Sequence, residues 1–430
     1  MPSEFRCLDD QGCDGTTPGG RCEAAGYCSF PDDGCSSGRR YGNWAAEGFA
    51  GACVDDADSG SMGSSPTTST TAQPGPTSDT ARDGSSTGAD VVSSESTSAD
   101  PQCPEGWWDC TWTRRQSISV QAVPLAEPLT ALPVPLRLDP SMLRDPSLTI
   151  VDASGSPRPM EHDGGLLWVA TDLEPNTPLT LWAYGGNPAP PPGRPTAVWD
   201  PSYAAVWHLE DGTDASGRGN TAVSEEVVHQ DAHFEHGAMM DGVDDRFDLD
   251  ATASLADLRT SGFTIEAWIE PDADSLDGYR RILDKTDDPD STLGWSLMLR
   301  GDAPLHQLEI NYGYDTDERQ LLSEPFEVTD WTHLVVVTHP GDDAEFWVDG
   351  ELLTAEVTTP GVGSILSDAL QPASMGAPTT GASEVRFFDG GLDEVRISRG
   401  VRPPSWVTGT YITGRPEAVT VGAIEDLEFE

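Results

Sequence analysis

The sequence contains almost no lysine. Of its 430 residues, 24 are basic and 73 are acidic, which gives a formal net charge of −49, and Lys285 is the single lysine. A chain this acidic repels the phosphates of nucleic acids and the anionic surfaces of membranes. The composition therefore excludes a nucleic-acid-binding protein and favours cations, basic partners or a salty environment.

Long apolar segments are also absent. No run approaches the roughly 20 apolar residues that a membrane-spanning helix needs, and the start, MPSEFRC, lacks the basic end and apolar centre of a signal peptide. The cysteines nevertheless indicate an oxidising compartment, because they are even in number and clustered. We therefore expect an extracellular or cell-surface protein whose true start, with an export signal, lies upstream of Met1.

Residues 1–55 have too few apolar side chains for a core, so cross-links must stabilise them. The six cysteines of this segment are Cys7, Cys13, Cys22, Cys28, Cys35 and Cys53. They predict a disulfide-stapled module, although the sequence does not choose among the possible pairings. Zinc is the weaker alternative, because the segment has neither a Cys-x-x-Cys pair nor a histidine.

Residues 56–102 contain no Leu, Ile, Phe, Trp or Tyr and are mostly Ser, Thr, Asp, Gly and Pro. Such a segment cannot bury enough apolar surface to offset the entropy lost on ordering. It is predicted to be a disordered linker.

Residues 103–195 contain several short β-like runs separated by Pro, Gly, Asp or Asn, among them SISVQAV and GLLWVATDL. This spacing is typical of a small β-sandwich. Cys103 and Cys110 stand just before the first run, so we expect them to form a local disulfide that fixes its start.

Residues 196–425 also read as β-structure. In FTIEAWI the apolar positions from Phe263 to Ile269 alternate with Thr264, Glu266 and Trp268, which is the period of a strand. WTHLVVVTH is apolar on both faces, as in a central strand covered on both sides. Asp349-Gly350 separates two β-like runs and predicts a hairpin. The fold class is all-β, with a large sandwich preceded by a smaller one.

Several longer phrases carry a resemblance to a known family. They are VWHLEDGTDASGRGN, HGAMMDGVDDRFDL, SGFTIEAWIEP, WTHLVVVTH, FWVDGELL and FFDGGLDEVRISRGVRPPSW. Together they resemble the laminin-G-like, concanavalin-A-like jelly roll, which is found mostly in extracellular recognition and adhesion proteins. Residues 103–195 resemble a domain of unknown function that often precedes such jelly rolls in bacterial surface proteins. The first cysteines resemble a module at the N-terminus of predicted myxobacterial surface proteins.

The resemblance implies a calcium site. In similar jelly rolls such a site often joins an early loop to the start of the last strand. Carried over to this chain, Asp214, Ser216 and Asn220 would meet Asp393 and Glu394, with structural calcium as the possible cofactor. Carboxylates and carbonyls are the ligands that calcium prefers. The alternative is that acidic loops, including the one at Asp241, Asp244 and Asp245, are ordinary on so acidic a chain.

Histidines and aromatic residues form two further candidate groups. His229, His233 and His236 would bind zinc if a helix aligned the first two, but the following residues favour a loop leading into a strand. His208 is expected to pack on the first strand. Exposed Trp or Tyr side chains could stack on sugar rings, although sandwich cores also use them. The candidates are Trp268, Trp295, Tyr279, Tyr312 and Tyr314.

The sequence does not favour catalysis. Glycosidases of this architecture carry two carboxylates on one strand, typically as E-x-D-x-E, and no such triplet is present. Glu266 and Glu270 are expected to line a solvated face. We therefore expect a non-enzymatic recognition or adhesion protein that binds a glycan or an extracellular protein. A glycoside hydrolase and a purely structural spacer are the alternatives, and neither the ligand nor the oligomeric state can be deduced.

Overall fold

The structure is a computed structural model. It describes residues 21–22, 28–31, 35, 39–41, 53–54, 103–104, 106–190, 197–272, 278–286, 293–301, 304–379 and 386–427. The chain divides into two compact units, Met1–Glu95 and Ser96–Glu430. The predicted linker 56–102 and two of the cysteines, Cys7 and Cys13, lie outside the described residues.

The described part of the first unit is a three-stranded antiparallel sheet. Its strands are β1 (Arg21–Cys22), β2 (Cys28–Pro31) and β3 (Arg39–Tyr41), in that order across the sheet. A disulfide joins Cys35 to Cys53, and Cys28 is also disulfide-bonded. The predicted use of disulfides in this segment is therefore confirmed for the three cysteines Cys28, Cys35 and Cys53.

The second unit contains most of the regular structure. In chain order its elements are β4 (Arg114–Val120), β5 (Leu129–Leu136), α1 (Pro140–Leu143), β6 (Thr149–Asp152), β7 (Met160–Asp163), β8 (Leu166–Leu173), β9 (Leu179–Gly185), β10 (Tyr203–Trp207), β11 (Ala222–Glu225), β12 (Val228–Ala232), β13 (Glu235–Asp241), β14 (Arg246–Leu249), β15 (Phe263–Pro271), β16 (Tyr279–Thr286), β17 (Gly294–Arg300), β18 (Leu305–Gly313), β19 (Glu318–Ser323), β20 (Phe326–Glu327), β21 (Thr332–Thr338), β22 (Ala344–Val348), β23 (Glu351–Leu353), β24 (Ala355–Pro360), β25 (Ala373–Met375), β26 (Asp389–Arg399), α2 (Pro404–Gly414) and β27 (Val419–Asp426). Short 3-10 turns occupy Leu258–Thr260 and Pro416–Ala418.

Two small sheets form the smaller sandwich. One has the strand order β27-β4-β9-β6 and the other has the order β5-β8-β7. The predicted disulfide between Cys103 and Cys110 is present just before β4. Alternate residues of β4, among them Ile118 and Val120, are fully buried, as the alternation in the sequence requires.

The jelly roll consists of two larger antiparallel sheets. An eight-stranded sheet has the order β12-β13-β26-β15-β21-β22-β23, with β10 paired to β26. A nine-stranded sheet has the order β11-β14-β25-β16-β17-β18-β19-β24, with β20 paired to β18. Phe263, Ile265 and Ala267 of β15 enter the core between the sheets, and Asp349-Gly350 forms the predicted hairpin between β22 and β23.

The outer face of the eight-stranded sheet is covered by the helix α2. Val335 and Val337 of β21 form an apolar cluster with Trp347 and with Val407 of α2. Every residue of β21 is buried. The prediction that this strand is covered on both faces is therefore confirmed, and α2 supplies the second cover.

The two sandwiches of the second unit share an apolar core. Trp168 of the smaller sandwich lies in one buried cluster with Phe234, Trp268 and Trp406 of the following region. The final strand β27 pairs with β4 through six residue pairs, from Val120 opposite Val419 to Arg114 opposite Asp426, at the edge of the smaller sandwich. The predicted boundary placed residues up to 425 in the jelly roll. The pairing corrects this, because β4 has an edge that β27 fills.

Within the described residues, no helix has both the length and the apolar character that a membrane crossing requires.

Candidate functional site

The Asp214 carboxylate organises the loop that follows β10. Its Oδ1 accepts hydrogen bonds from the backbone N–H of Val206 (3.1 Å) and from the N–H and hydroxyl of Ser216 (3.0 and 2.6 Å). Its Oδ2 accepts from the backbone N–H and side-chain amide of Asn220 (2.9 and 2.8 Å). An ionised carboxylate has about four acceptor positions. Donors of the protein itself therefore occupy the Asp214 carboxylate.

Asn220 extends this network. Its amide donates to the carbonyl of Ala204 (2.8 Å), while its Oδ1 accepts from Ser254 Oγ (2.6 Å). The loop half of the predicted calcium site is therefore a hydrogen-bonded turn that fastens β10 to neighbouring segments.

Asp393 and Glu394 lie on the same outer face of β26. A bulge causes this, because the register of β15 with β26 shifts between Glu266 and Trp268. Leu392 and Val395 both enter the core, and Glu394, between them, adopts a φ of 50°. A β-bulge inserts one extra residue in this way and redirects the side chains beside it.

Glu394 belongs to a buried cluster at the boundary between the two sandwiches. His208 Nδ1 lies 2.6 Å from Glu394 Oε1 and 3.4 Å from Asp163 Oδ2. Arg396 donates to Glu394 Oε2 from Nε (3.2 Å) and Nη2 (2.7 Å). Asp163 is the last residue of β7, so the smaller sandwich contributes one acid and the jelly roll contributes the remaining groups.

The protonation of this cluster follows from its burial and charges. Burial alone would lower the pKa of His208, but the surrounding carboxylates, led by Glu394, raise it to about 9. Burial raises the pKa of Asp163 to about 7. Burial would also raise the pKa of Glu394, but His208 and Arg396 hold it below its usual value. The cluster therefore pairs a charged imidazole with an ionised Glu394 at neutral pH.

Aromatic rings enclose the cluster. The Arg396 guanidinium lies 4.5 Å from the ring centroid of Trp168 and 5.0 Å from that of Trp199. Trp168 stacks on His208 with centroids 5.9 Å apart, and Trp199 Nε1 donates to Glu161. Cations held against aromatic faces are stabilised when shielded from water. We conclude that the cluster lies at the interface between the two sandwiches and links β7 and β8 to β26.

The structure does not gather the predicted calcium ligands at one point. Among the described residues, the groups of three or more acidic or histidine side chains whose ligand atoms lie within 4.8 Å of one another are Asp163–His208–Glu394 and Asp241–Asp244–Asp245. Neither contains Asp214. Asp393 has a partner outside the Asp214 loop, because its Oδ2 accepts a hydrogen bond from the backbone N–H of Phe234 (2.7 Å). Calcium binding itself stays a prediction.

The three neighbouring histidines have separate partners. His229 Nδ1 lies 2.8 Å from the carbonyl of Leu209, and His233 Nε2 lies 3.1 Å from that of Gly414. His236 is half exposed, with Nδ1 at 3.8 Å from Glu210. They lie on or between β12 and β13, so the helix required for a shared zinc site is absent from this segment.

Most of the aromatic candidates are core residues. Trp295 and Tyr312 are 1% and 0% exposed, and Trp268 is 6% exposed beneath His233, whose ring centroid is 3.7 Å away. Tyr314 donates to Asp342 Oδ2 (2.5 Å). Tyr279 alone among the five is classed as exposed, at 39%. The structure therefore removes Trp268, Trp295 and Tyr312 as stacking platforms.

The expectation for Glu266 was wrong. We predicted a solvated face, but Glu266 is 3% exposed and lies 3.9 Å from His333 Nε2. The alternation of β15 was read correctly, yet its second face is covered by α2 and the smaller sandwich. Glu270, further along the strand, has a raised pKa because of partial burial and the charge of Asp330.

The nine-stranded sheet carries a polar patch on its outer face, which sequence reasoning missed. We call the outward side chains of Arg300, Glu309, Asn311 and Gln320 the polar patch. Arg300 Nη1 and Asn311 Nδ2 donate to the two oxygens of Glu309 (2.6 and 2.9 Å). Asn311 Oδ1 is buried without a hydrogen-bond partner. Tyr279 adjoins the patch, since its hydroxyl accepts from Arg300 Nη2 (2.9 Å).

Sequence signals existed for part of this arrangement. The apolar spacing Leu392, Val395, Ile397 departs from strict alternation and marks the bulge. The polar patch shows in part as the alternation of Glu309 and Asn311 with the core residues Leu308, Ile310 and Tyr312 of β18. Asp163 had no such signal, because its partners lie in another sandwich.

A comparison with protein families agrees with this architecture. Residues 241–408 match the family described as the Concanavalin A-like lectin/glucanases superfamily. No curated protein matches the chain. Similar solved structures include the binding domain of Paraclostridial Mosquitocidal Protein 1, with 14% identity over 49% of this chain and 52% of that chain, at a TM-score of 0.38. The binding domain of botulinum neurotoxin serotype D has 12% identity over 49% and 51%, at a TM-score of 0.38.

A third similar structure is domain 4 of an extracellular arabinanase from Geobacillus stearothermophilus, in complex with arabinotriose. It has 16% identity over 48% of this chain and 97% of that chain, at a TM-score of 0.32. The chain spans about half the length of the two toxin domains. The family match runs from the end of β13 into α2 and covers most strands of the two large sheets, and the larger sandwich has the concanavalin A-like jelly-roll fold.

Proposed function

We propose that this chain is a non-enzymatic recognition protein that binds an extracellular glycan on the polar patch of its jelly roll. The observation that carries the proposal is the unequal use of the two outer faces. The eight-stranded sheet packs its outer face on α2 and the smaller sandwich. The nine-stranded sheet instead presents partly exposed hydrogen-bonding side chains around the buried Glu309, namely Arg300 on β17, Asn311 on β18 and Gln320 on β19.

The chemistry of the patch suits hydroxyl groups. Arg300 and Gln320 supply N–H donors beside the partly exposed side chain of Asn311. Asn311 Oδ1 has no partner but is enclosed, so a sugar hydroxyl reaches it only when a neighbouring side chain moves, and that contact would recover the free energy that a buried acceptor without a partner costs. Tyr279 adds an exposed ring at the edge of the patch, where it can cover the apolar side of a sugar.

Glu309 is the carboxylate to consider for the alternative of a glycoside hydrolase. The family name includes lectins and glucanases, so the fold alone does not decide between binding and hydrolysis. Both Glu309 oxygens accept hydrogen bonds within the protein, an arrangement that fixes the carboxylate as an acceptor. This geometry favours binding over the proton transfer and nucleophilic attack of a glycosidase.

The proposal includes an extracellular or cell-surface location, with adhesion as the broader role. Disulfides in both compact units support it, since such bonds persist in oxidising compartments. Protease treatment of intact producing cells tests the surface location. The full chain should be cleaved while a cytosolic marker survives, or it should be found in the medium.

A glycan array, together with an assay for reducing ends released from polysaccharides, tests the function. We expect binding without turnover, and a loss of affinity of about tenfold in Asn311→Ala. Gln121→Ala, an exposed amide on the smaller sandwich, is the matched control. Release of reducing ends would replace the proposal with the hydrolase. Absence of any bound glycan would leave the protein-binding or spacer alternatives.

A further inference from the structure

A surface rich in tryptophan, distinct from the polar patch, lies on the smaller sandwich and not on the jelly roll. A cleft of about 210 Å³ is bordered by indole rings on one side and by the polar turn between β6 and β7 on the other. The lining residues that matter here are Trp107, Trp108, Trp182, Asp152 and Ser154. We call this feature the tryptophan cleft.

Covalent and hydrogen-bonded constraints hold the cleft in shape. The Cys103–Cys110 disulfide closes the loop that carries Trp107 and Trp108. Trp107 Nε1 donates to the carbonyl of Trp112 (3.0 Å), and the backbone N–H of Trp108 donates to the Tyr184 hydroxyl (3.0 Å). Gly155 has a φ of 82°, and its turn approaches so closely that an added Cβ would lie 2.8 Å from Trp108 Cδ1.

Structural packing explains only part of this aromatic cluster. Trp112 and Tyr184 are 2% and 1% exposed and form a small core with Val151. Trp107, Trp108 and Trp182 pack on that core but stay partly exposed. All three line the same cleft, and indole surface that is left open in a concave site is typical of ligand binding.

Charge restricts the kind of ligand. The Arg115 guanidinium lies 4.6 Å from the Trp107 centroid and 4.2 Å from the Trp182 centroid. The aromatic faces therefore already hold a cation, and Arg115 repels a second one such as a quaternary ammonium. On the opposite side Asp152 repels an anion. A ligand without net charge is compatible with both Arg115 on one side of the cleft and Asp152 on the other.

The polar groups of the cleft match sugar hydroxyls. No described residue accepts a hydrogen bond from the indole N–H of Trp108 or Trp182. Asp152 Oδ2 has only a distant ion-pair partner, Arg158 Nη1 at 3.7 Å. We infer that the tryptophan cleft binds a neutral pyranose ring, with its C–H face against indole and its hydroxyls on these groups. This site is separate from the polar patch and does not depend on it.

Isothermal titration of the full chain, with the neutral oligosaccharide that binds best on a glycan array, tests the inference. Trp182→Ala should weaken binding by about tenfold or more. The matched control is Trp331→Ala, a half-buried indole of the jelly roll, which should bind as the wild type does. Melting curves of both variants check that they fold.

Oxidation of the wild-type chain with N-bromosuccinimide gives a second measurement that needs no variant. Bound oligosaccharide should protect Trp107, Trp108 and Trp182 in peptide maps. The inference is overturned if the array shows no neutral glycan, or if binding leaves these indoles unprotected. Binding that Asn311→Ala abolishes and Trp182→Ala leaves intact would also overturn it, while supporting the polar patch.

Discussion

Glu394 holds two cationic side chains in place, because the bulge turns its carboxylate out of the core and into the boundary between the sandwiches. His208 takes one of its oxygens and Arg396 takes the other. The nearby acid Asp393 has its pKa raised well above the usual value by burial and by the charge of Glu394. One ionised acid and one protonated acid side by side avoid the repulsion of two buried charges.

His208 should make stability depend on pH above neutrality. Its pKa rises from 6.5 to about 9 in the folded chain, so the folded state holds more protons than the unfolded state within that range. Stability is therefore greatest below the lower value and falls as pH rises through the upper one. One pKa unit corresponds to about 1.4 kcal/mol, so the loss should reach a few kcal/mol.

Urea unfolding between pH 7 and 9 measures this loss. His208→Gln should flatten the dependence, whereas His236→Gln, which is half exposed, should keep it. Below pH 7 two other groups change stability in opposite directions. Folding lowers the pKa of His233 to about 4, so His233 favours folding more as pH rises, and folding raises the pKa of Asp163 to about 7, so Asp163 favours folding less as pH rises. Equal slopes in the wild type and His208→Gln would show that another group is responsible.

Asp214 should stabilise the chain without a metal. Asp214→Asn replaces one acceptor oxygen with an amide that faces N–H donors, so we expect a loss of about 2 kcal/mol or more. Unfolding in chelator and in calcium checks this, with the exposed Asp250→Asn as control. A wild-type stability that drops to the level of Asp214→Asn in chelator would instead establish the predicted calcium site here.

At the scale of elements, local patterns predicted several strands because alternation depends on neighbouring residues only. The hairpin at Asp349-Gly350 and the buried strand β21 are examples. The bulge in β26 was not predicted, although its spacing was visible. The cover on Glu266 could not be predicted, because it depends on where α2 packs.

Small residues of α2 allow this helix to pack closely against β5. It lies between β5 and the eight-stranded sheet, and a Cβ on Gly409 would lie 2.6 Å from Leu129 Cδ1. Gly409→Val should therefore force the helix away from β5 and cost about 1–3 kcal/mol. Thr408→Val, on a less buried side of α2, is the control. Equal melting temperatures for the two variants would contradict this packing.

At the scale of the whole second unit, the sequence indicated two sandwiches but not their common core. Composition and the positions of Pro and Gly indicate domain boundaries, and they placed β4 to β9 in one segment, but they assigned β27 to the wrong sandwich. They contain no information on contacts between distant segments, such as Asp163 with His208 or β27 with β4. The predicted calcium residues divide into two groups for the same reason. Asp214, Ser216 and Asn220 lie together in one loop, whereas Asp393 and Glu394 have other partners, and the resemblance that joined the two groups does not take packing into account.

The shared core predicts that the two sandwiches unfold together. Ser96–Glu430 should show one transition in urea, with the same midpoint by tryptophan fluorescence and by circular dichroism. A fragment limited to residues 196–425 should be much less stable. It would expose Trp268, Phe234 and Trp406, leave β27 without its partner strand, and uncover the charges of Glu394 and Arg396. A fragment that unfolds at the midpoint of Ser96–Glu430 would show that the smaller sandwich adds nothing to the jelly roll. Because the charged cluster and the aromatic cover lie at the same boundary, loss of the smaller sandwich removes the apolar contacts and one acid together, and the deficit should exceed that of His208→Gln alone.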